Sequence, residues 1–579
     1  MTVLEAVKTT GRVPTGLDCG YEWHLSRARG STLSINALAT PKRWRFVDCK
    51  AYCDDDILRI WESDPAIDIL ALLPFAAISY VWKGVYKSPE SDSYAVWGAE
   101  DGDRIDHTVF ARACMYALKI GAPYLWLDRF CMIQGHKEDQ AWQIQNMADI
   151  YRRCLACLVL PGGIGGFMQV HEQTAWIDRG WTLQETLLPR NVYCAARWDL
   201  GDGTLVHANG FALEVHNRED DDCGLHWFSL PDLLRVGPEP HFQPSGADDD
   251  VGDAGVELEC SIVSPRESQL LELQAALTAT DRDERESAIW RCALMRSCQR
   301  EIDHVYSIMG LFGVTLDPTQ YEDRSDAAHA LVDCILRQGG KANWLAAWQT
   351  RPISPSLRSL NLMPVPGGYV TGFDWYLGNA PSGSMISVVT RPRESGYSYY
   401  GLYNMGPSTR TGSFFRMTVP ISPISFVDEA GSDAKIATVE SGHGRPLATG
   451  RAYIAGRTGT HAAVVGERRF YSAANVGHVP LEETIVVLLV TPYEEDGVLL
   501  YRRDGMAVVS PALIENWPRG TFSLADHISW PWMAKEHLEE VKKLPKDGRT
   551  GWPYRESRSY GYAGWQWSGL SDWGYEAFK

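Results

Sequence analysis

Basic residues, long apolar runs and a secretory leader are all scarce in this sequence, and each scarcity argues against a class of protein. The chain carries 55 Lys and Arg against 73 Asp and Glu, a formal net charge of −18. Binding to nucleic acid or to an anionic membrane needs clustered basic residues, so we predict neither partner. The most apolar stretch, residues 67–82, falls short of the ~20 residues that cross a bilayer and contains Asp68 and Pro74. Residues 1–14 lack the apolar segment of a signal peptide.

Disulfide, metal and common catalytic signatures are also missing. The 13 cysteines are odd in number and spread through apolar runs, which is typical of buried thiols and predicts a cytoplasmic protein. Cys154 and Cys157 have the spacing of a metal or redox pair, but no second pair or histidine cluster accompanies them, so we predict no metal. The glycines of residues 162–166 match neither the dinucleotide fingerprint nor the P-loop and predict a turn. There is no GxSxG elbow, no HExxH pair and no repeat of roughly 30–45 residues.

The length and texture of the chain predict several domains. A chain of 579 residues is too long for one hydrophobic core. We predict an N-terminal leader packed on the first domain, an α/β domain, a loop-rich and helical extension, and a β-rich, Trp-rich C-terminal domain, with the bounds 1–65, 66–195, 196–340 and 341–579.

The second of these parts alternates between short apolar runs and helical periodicity. Strands are predicted over residues 69–81 (interrupted at Pro74), 124–127 and 155–160, and helices over 106–120 and 138–153. This alternation predicts a parallel sheet, and ligands bind such sheets outside the carboxyl ends of the strands. Asp128 and the loop after Tyr80 follow two strands, and Glu185 begins the next element, so we expect all three at one rim.

Residues 178–188 predict a turn that leads into a helix. Asp178 is expected to cap it, and Trp181 and Glu185, four residues apart, are expected to share one helix face. An indole beside a carboxylate suits a sugar, a nucleotide or a ribose. It is more often a way to seat a surface helix.

The rest of the chain predicts helices first and strands later. Helices are predicted over residues 267–276, 285–296, 327–337 and 536–544. After residue 340, short alternating runs split by Gly, Pro and Asn predict an antiparallel sandwich or barrel, with strands over residues 413–419, 452–454, 462–465, 484–490 and 498–501. The chain has 22 Trp, and the aromatic tail over residues 552–578 is expected to cross a domain surface or line a groove.

Four motifs in order carry a family resemblance. They are Ile-Ser-Tyr-Val-Trp at residues 78–82, Leu-Trp-Leu-Asp-Arg-Phe-Cys-Met-Ile-Gln at 125–134, Met-Ala-Asp-Ile-Tyr at 147–151 and Arg-Gly-Trp-Thr-Leu-Gln-Glu at 179–185. Together they resemble the heterokaryon-incompatibility (HET) domain of filamentous fungi over residues 75–190. Residues 302–312, where an Asp precedes an apolar helix, resemble the segment that follows the core in many such proteins. The family's Gly after the first motif is Lys83 here, with Gly84 one residue later.

The HET domain is remotely similar to the Toll/interleukin-1 receptor (TIR) domain, which implies a TIR- or flavodoxin-like fold. In that family a glutamate after a Trp-Cys pair cleaves NAD at the nicotinamide–ribose bond, and here Thr182 replaces the Cys. The resemblance implies NAD as a substrate, with no cofactor required. It implies a catalytic role for Glu185 and Asp128, and binding roles for Ser79, Tyr80, Trp82, Arg129, Arg179, Trp181 and Gln184.

Other interpretations stay open. Cys131 follows Asp128 and is a candidate nucleophile, although its nearest histidine is His136, in a loop. The chain is also compatible with a small-molecule cyclase, lyase or hydrolase of fungal secondary metabolism that uses an aromatic-lined pocket. The third alternative is a non-catalytic module that associates with itself.

Overall fold

The computed structural model describes most of the chain up to residue 342 and a set of C-terminal strands. The described residues are 3–9, 12–207, 210–216, 224–245, 256–264, 267–342, 396–402, 408–411, 414–427, 435–440, 446–454, 461–472, 477–495, 498–509 and 514–525. The helix predicted over 536–544 and the aromatic tail lie outside them. No helix within these ranges has the length and apolar character needed to cross a membrane.

The helices and strands are numbered here in chain order. The helices are α1 Leu25–Ala28, α2 Cys49–Asp54, α3 Ile69–Leu72, α4 His107–Lys119, α5 Asp128–Cys131, α6 Lys137–Arg153, α7 Thr182–Leu187, α8 Leu230–Val236, α9 Glu267–Thr278, α10 Arg282–Leu294, α11 Asp303–Met309 and α12 Arg324–Arg337, with 3-10 turns at Glu90–Asp92 and Gly310–Phe312. The strands that precede residue 342 are β1 Val3–Glu5, β2 Val7–Lys8, β3 Leu17–His24, β4 Thr32–Ser34, β5 Arg45–Asp48, β6 Ile57–Ser63, β7 Phe75–Tyr80, β8 Ser93–Val96, β9 Ile105–Asp106, β10 Tyr124–Trp126, β11 Ala156–Leu160, β12 Val192–Arg197, β13 Gly203–Val206, β14 Ala212–Val215, β15 Leu225–Ser229, β16 His241–Pro244 and β17 Val256–Glu257. The C-terminal strands are β18 Gly396–Leu402, β19 Ser408–Thr411, β20 Phe414–Val427, β21 Lys435–Glu440, β22 Pro446–Ile454, β23 His461–Ser472, β24 Gly477–Glu495, β25 Val498–Val509 and β26 Arg519–Ala525.

A mixed sheet forms the centre of the first half of the chain. Its strand order is β15-β12-β11-β7-β10-β5-β6-β3-β2. The four neighbours β10, β7, β11 and β12 are parallel, which confirms the parallel sheet that the alternating pattern predicts. The chain crosses from β10 to the far side of β7 through α6, so the strand order changes direction beside β7. In open α/β sheets, ligands bind at such a point.

Local sequence signals explain where the two connecting helices, α4 and α6, begin and end. The Asp106 carboxylate accepts from the backbone N–H of Val109 and caps α4, and Gly121, with φ +84°, ends the helix. Helix α6 carries acidic residues in its first turn and Arg152 and Arg153 in its last, the arrangement that the helix dipole favours. Both helices lie within one or two residues of their predicted bounds.

The N-terminal segment, residues 1–65, does more than pack on the first domain, because it supplies strands to the central sheet. Strand β5 pairs antiparallel with β10, and β6, β3 and β2 follow it outward. The junction contains a fully buried charge cluster. The Arg45 guanidinium lies 3.1 Å from a Glu62 oxygen and 3.2 Å from an Asp139 oxygen, with all three side chains fully buried. Arg45 also donates to the carbonyl oxygen of Cys131 at 3.0 Å, so the cluster ties β5 and β6 to α5 and α6.

Two segments differ from their predictions. Residues 69–72 form the short helix α3 rather than a strand, and only β7 is extended, with every residue buried. The region after α7 is less irregular than its sequence suggests, since β12 and β15 extend the central sheet and β13, β14, β16 and β17 form a separate antiparallel sheet.

The C-terminal strands pair antiparallel, as predicted for a β-rich part, apart from one parallel contact between β25 and β26, and several are longer than the short runs predicted. The order β23-β24-β25-β21-β22-β20 closes on itself because β20 also pairs with β23. Strand β26 joins β20 to β25, and β18 and β19 lie outside the ring. This ring of paired strands corresponds to the barrel alternative of the prediction.

Candidate functional site

The candidate site lies at the carboxyl end of β7, beside the change of strand order. The last two residues of this strand are Ser79 and Tyr80. Successive side chains of a strand point to opposite faces, so the two hydroxyls reach two different partners. Ser79 Oγ donates to Glu185 Oε2 at 2.5 Å, and the Tyr80 hydroxyl donates to Asp128 Oδ1 at 2.7 Å. One strand end therefore holds both of the acids that the sequence placed at this rim.

The side chain of Glu185 is almost fully buried, and its pKa is raised above the ordinary value. It is 8% exposed. Burial raises its pKa to about 7, while the hydrogen bond from Ser79 and the charge of Arg179 oppose this rise and the charge of Asp128 adds to it. The Ser79 oxygen is itself held by the indole N–H of Trp176 at 2.8 Å, which orients its proton toward the carboxylate. Glu185 is therefore poised to exchange a proton near neutral pH.

The side chain of Asp128 is held in place by three hydrogen-bond donors. Its carboxylate accepts from the Tyr80 hydroxyl, from the indole N–H of Trp82 at 3.0 Å and from the backbone N–H of Arg129 at 2.7 Å. An ionised carboxylate accepts several such bonds at once. The Gln134 side chain donates to the Asp128 carbonyl oxygen at 3.0 Å and fixes the loop.

Arg129 supports the loop around Asp128. Its guanidinium donates to the carbonyl oxygens of Asp103 and Ala99 and lies 5.8 Å from the centroid of the Trp82 ring. The side chain is 1% exposed, and its Nε has no hydrogen-bond partner within the described part of the chain. Arg129 therefore holds two loops together beneath Trp82.

Helix α7 carries Glu185, and its N-terminus differs from the predicted one. Trp181 occupies the N-cap position, so the prediction of Asp178 as the cap is wrong. The Asp178 carboxylate instead accepts from the Gln269 side chain at 2.8 Å and joins this turn to α9. Thr182 has a structural role here, because it accepts from Arg296 at 2.6 Å and donates to the backbone of the preceding turn.

Two charged residues near α7 were not among the predicted site residues. Arg296 is 2% exposed, and burial lowers its pKa, while the negative charge of Glu185 is one of several that oppose this. Asp303 begins α11, where burial raises its pKa, and the charge of Arg300 and a hydrogen bond from the Trp181 indole lower it. Only Asp303 had a signal in the sequence, as the acid preceding the apolar helix of residues 302–312. Arg296 had none.

The remaining predicted residues lie around these groups with different exposures. Arg179 and Trp181 are half-buried beside Glu185 and Asp303. Gln184 is 1% exposed, and its Nε2 has no hydrogen-bond partner among the described residues. Cys131 is fully buried, and burial raises its pKa to about 12, so this thiol has neither the ionisation nor the access of a nucleophile.

The loop after β7 is held by glycines. A Cβ on Gly84 would lie 2.0 Å from the carbonyl oxygen of Gly162, and a Cβ on Gly165 would lie 2.3 Å from the carbonyl oxygen of Tyr86. The backbone N–H of Val85 also donates to the Gly162 oxygen at 3.0 Å. Residues 162–166 therefore form a packed turn, as predicted. The glycine that this close approach requires is Gly84, which explains how Lys83 is tolerated one residue earlier.

A cavity of about 290 Å³ lies between α6 and the residues that follow α11. Ala148, Asp149, Gly310 and Thr315 are among its lining residues, and Glu185 is not. Within the described ranges, no group of three His, Cys, Asp or Glu side chains is placed to hold a metal ion.

The fold and this site define an α/β domain with two acids at the carboxyl edge of its parallel strands. Residues 75–166 match the family model described as Heterokaryon incompatibility protein (HET), so this part of the chain is similar to that domain. The match begins at β7, includes Asp128 and ends before α7 and Glu185. No curated protein matches the chain. No solved structure matches it either.

Proposed function

We propose that the chain is a heterokaryon-incompatibility-type protein of the cytoplasm whose HET domain acts with α7 on a nucleotide such as NAD. In this proposal, the site works like that of a TIR domain. Glu185 is the acid that faces the scissile bond, Asp128 anchors the loop beneath it, and Arg179 and Trp181 contact the ligand. Ser79 and the indole of Trp176 position the Glu185 carboxyl.

The reaction we infer is hydrolysis of the N-glycosidic bond between nicotinamide and ribose. The bond breaks with its electron pair leaving on the nicotinamide nitrogen, which becomes neutral. Positive charge then develops on the ribosyl carbon, and the Glu185 carboxylate stabilises it electrostatically. Water adds to that carbon and releases one proton, so the products are ADP-ribose, nicotinamide and a proton.

The observation that carries the proposal is the position of Glu185, a buried carboxylate held by Ser79 at the carboxyl edge of β7, where burial also raises its pKa to about 7. A carboxyl that titrates near neutral pH beside a strand end costs stability, and such displaced groups cluster at functional sites. The half-buried Arg179 and Trp181 beside it offer a cation and an aromatic face, the chemistry that a phosphate and a nucleobase or nicotinamide ring need.

The test is to incubate the purified full-length protein with NAD and quantify nicotinamide by chromatography. We expect nicotinamide release by the native protein and its loss in Glu185→Gln, which keeps the volume and removes the charge. The control is Glu138→Gln on α6, whose side chain is 71% exposed and which should leave release unchanged. Absence of release by the native protein over a range of pH and protein concentration would refute NAD cleavage.

One observation favours a non-catalytic module as the second candidate. Glu185 is 8% exposed and already hydrogen-bonded to Ser79, which also suits a structural acid. In that case the HET domain acts by association with further copies of the chain. Light scattering across a range of protein concentrations then shows a rising mass, and Glu185→Gln leaves that rise unchanged.

A further inference from the structure

A cluster of three cysteines, none of them among the candidate site residues, lies where α2 packs on α4. Cys49 and Cys53 are one turn apart on α2, on the same face as Tyr52. Tyr52 fixes how this face meets α4: its hydroxyl lies 2.7 Å from His107 Nδ1, and its ring packs edge-on against Phe110 with centroids 4.9 Å apart.

Helical spacing brings a third thiol to this contact. On α4, residues 107, 110 and 114 follow one another at intervals of three and four, so they form one stripe. Tyr52 meets the first two, α2 packs along α4, and Cys49 and Cys53 on α2 are neighbours of the third, Cys114. Cys49 and Cys53 both lie within hydrogen-bonding reach of the Cys114 thiol, which is the donor.

The three thiols differ in exposure and in ionisation. Cys49 and Cys114 are fully buried, whereas Cys53 is half-buried and reaches solvent. The hydrogen bond from the Cys114 thiol stabilises the Cys53 thiolate and lowers the pKa of Cys53, although burial opposes this. Burial raises the pKa of Cys114 well above its usual value. An accessible thiol that ionises readily beside a protonated one is the arrangement of a peroxide-sensitive pair.

We propose that Cys53 and Cys114 are a reversible oxidation site, in which peroxide converts the two thiols to a disulfide between α2 and α4. This inference does not depend on the proposed function. In the first step, the Cys53 thiolate attacks hydrogen peroxide, forms an S–O bond and releases hydroxide, which leaves Cys53 as a sulfenic acid. In the second, the Cys114 sulfur attacks the Cys53 sulfur, the S–S bond forms and the S–O bond breaks. The departing hydroxide takes the Cys114 proton as water. The pair loses two hydrogen atoms, and the peroxide is reduced to water.

The consequence is a covalent link between two parts of the chain. Helix α2 belongs to the N-terminal segment, residues 1–65, and α4 lies within the matched HET segment. The disulfide closes a long loop, and closing a long loop restricts the unfolded chain. Oxidation should therefore raise the thermal midpoint of the native protein, and a dithiol reductant should reverse the rise.

The experiment uses the full-length protein. It is treated with hydrogen peroxide, its remaining thiols are blocked with N-ethylmaleimide, and its peptides are mapped by mass spectrometry without reduction. We expect a linked peptide pair containing Cys53 and Cys114, with loss of maleimide labelling at both. Cys334 on α12 is the internal control, because it is also half-buried and its sulfur accepts a hydrogen bond from Arg337. It should keep its label after Cys53 has lost it.

Single substitutions distinguish a Cys53–Cys114 link from one that involves Cys49. Cys53→Ser should abolish the link. Cys114→Ala should leave Cys53 as a sulfenic acid that dimedone traps, and Cys49→Ser should still form the link. A native protein in which Cys53 keeps its maleimide label after peroxide overturns the proposal without any variant. A link between Cys49 and Cys53, or between cysteines elsewhere, overturns it as well.

Discussion

Replacing Glu185 with glutamine should stabilise the protein above about pH 7 and leave its stability nearly unchanged below pH 4.5. The pKa of this carboxyl rises from 4.5 to about 7 when the chain folds. Between these values the unfolded chain releases the proton and the folded protein retains it. Deprotonation therefore favours unfolding, so the free energy of unfolding falls as pH rises through this window and stays lower above it. Glutamine resembles the protonated acid at every pH and removes this dependence.

The expected magnitude follows from the two pKa values. A difference of about 2.5 pH units corresponds to about 3 kcal/mol at about 1.4 kcal/mol per unit. Because Glu185 is only 8% exposed, solvent screens little of this energy. The glutamine side chain can still accept the proton of Ser79, so the hydrogen bond at the end of β7 survives the change.

The assay is urea unfolding of the native protein and of Glu185→Gln, followed by circular dichroism at several pH values from about 4 to about 8.5. Ser79→Ala tests the sign independently, because losing this donor raises the pKa of Glu185 further and extends the fall in stability to higher pH. Glu138→Gln, on the exposed face of α6, should follow the native protein throughout. Parallel curves for the native protein and Glu185→Gln across the window would refute the reasoning.

Three further predictions concern the framework around the site. Arg45→Met leaves the buried Glu62 and Asp139 without their counter-charge and should lower the free energy of unfolding in urea by about 3–5 kcal/mol. The control Lys42→Ala breaks a solvent-exposed ion pair and should lower it by less than about 1 kcal/mol. Gly84→Ala places a Cβ 2.0 Å from a carbonyl oxygen of the facing turn and should lower the free energy of unfolding by at least about 2 kcal/mol, and the neighbouring Lys83→Ala should leave it unchanged. Tyr80→Phe removes one hydrogen bond to the Asp128 carboxylate and should lower the free energy of unfolding by about 1–3 kcal/mol. A change near zero in denaturant unfolding would contradict a contribution of this hydrogen bond to stability.

The parallel strands and their helices were predictable because each has a clear hydrophobic period and clear residues at its ends. Helix α4 begins beside Asp106 and ends before Gly121, and β7 is apolar throughout. The short helix α3 was not predictable, because four apolar residues fit a buried strand as well as a helical turn. The strands after α7 were missed because their pairing with distant partners decides their conformation more than local propensity does.

For the site, the sequence indicated that Asp128 and Glu185 lie together, but not which side chains hold them in place. The order of motifs brought Asp128 and Glu185 to one strand end. Their partners depend on distant contacts: Trp176 reaches Ser79 across 97 positions, and Arg296 reaches Thr182 across 114. The burial of Cys131 follows from its place beneath β5, which lies outside the matched segment. Such contacts leave no local pattern.

The pairing of β5 with β10 sets a limit on dissection of this protein. A fragment that starts at residue 75 would expose the backbone of β10 along one side and leave Asp139 inside the protein without its guanidinium. An open strand edge of this kind invites pairing with other chains. Aggregation of an excised HET segment would therefore report a missing neighbour rather than a biological activity, and any chimera built from this module needs to carry the whole segment that precedes β7.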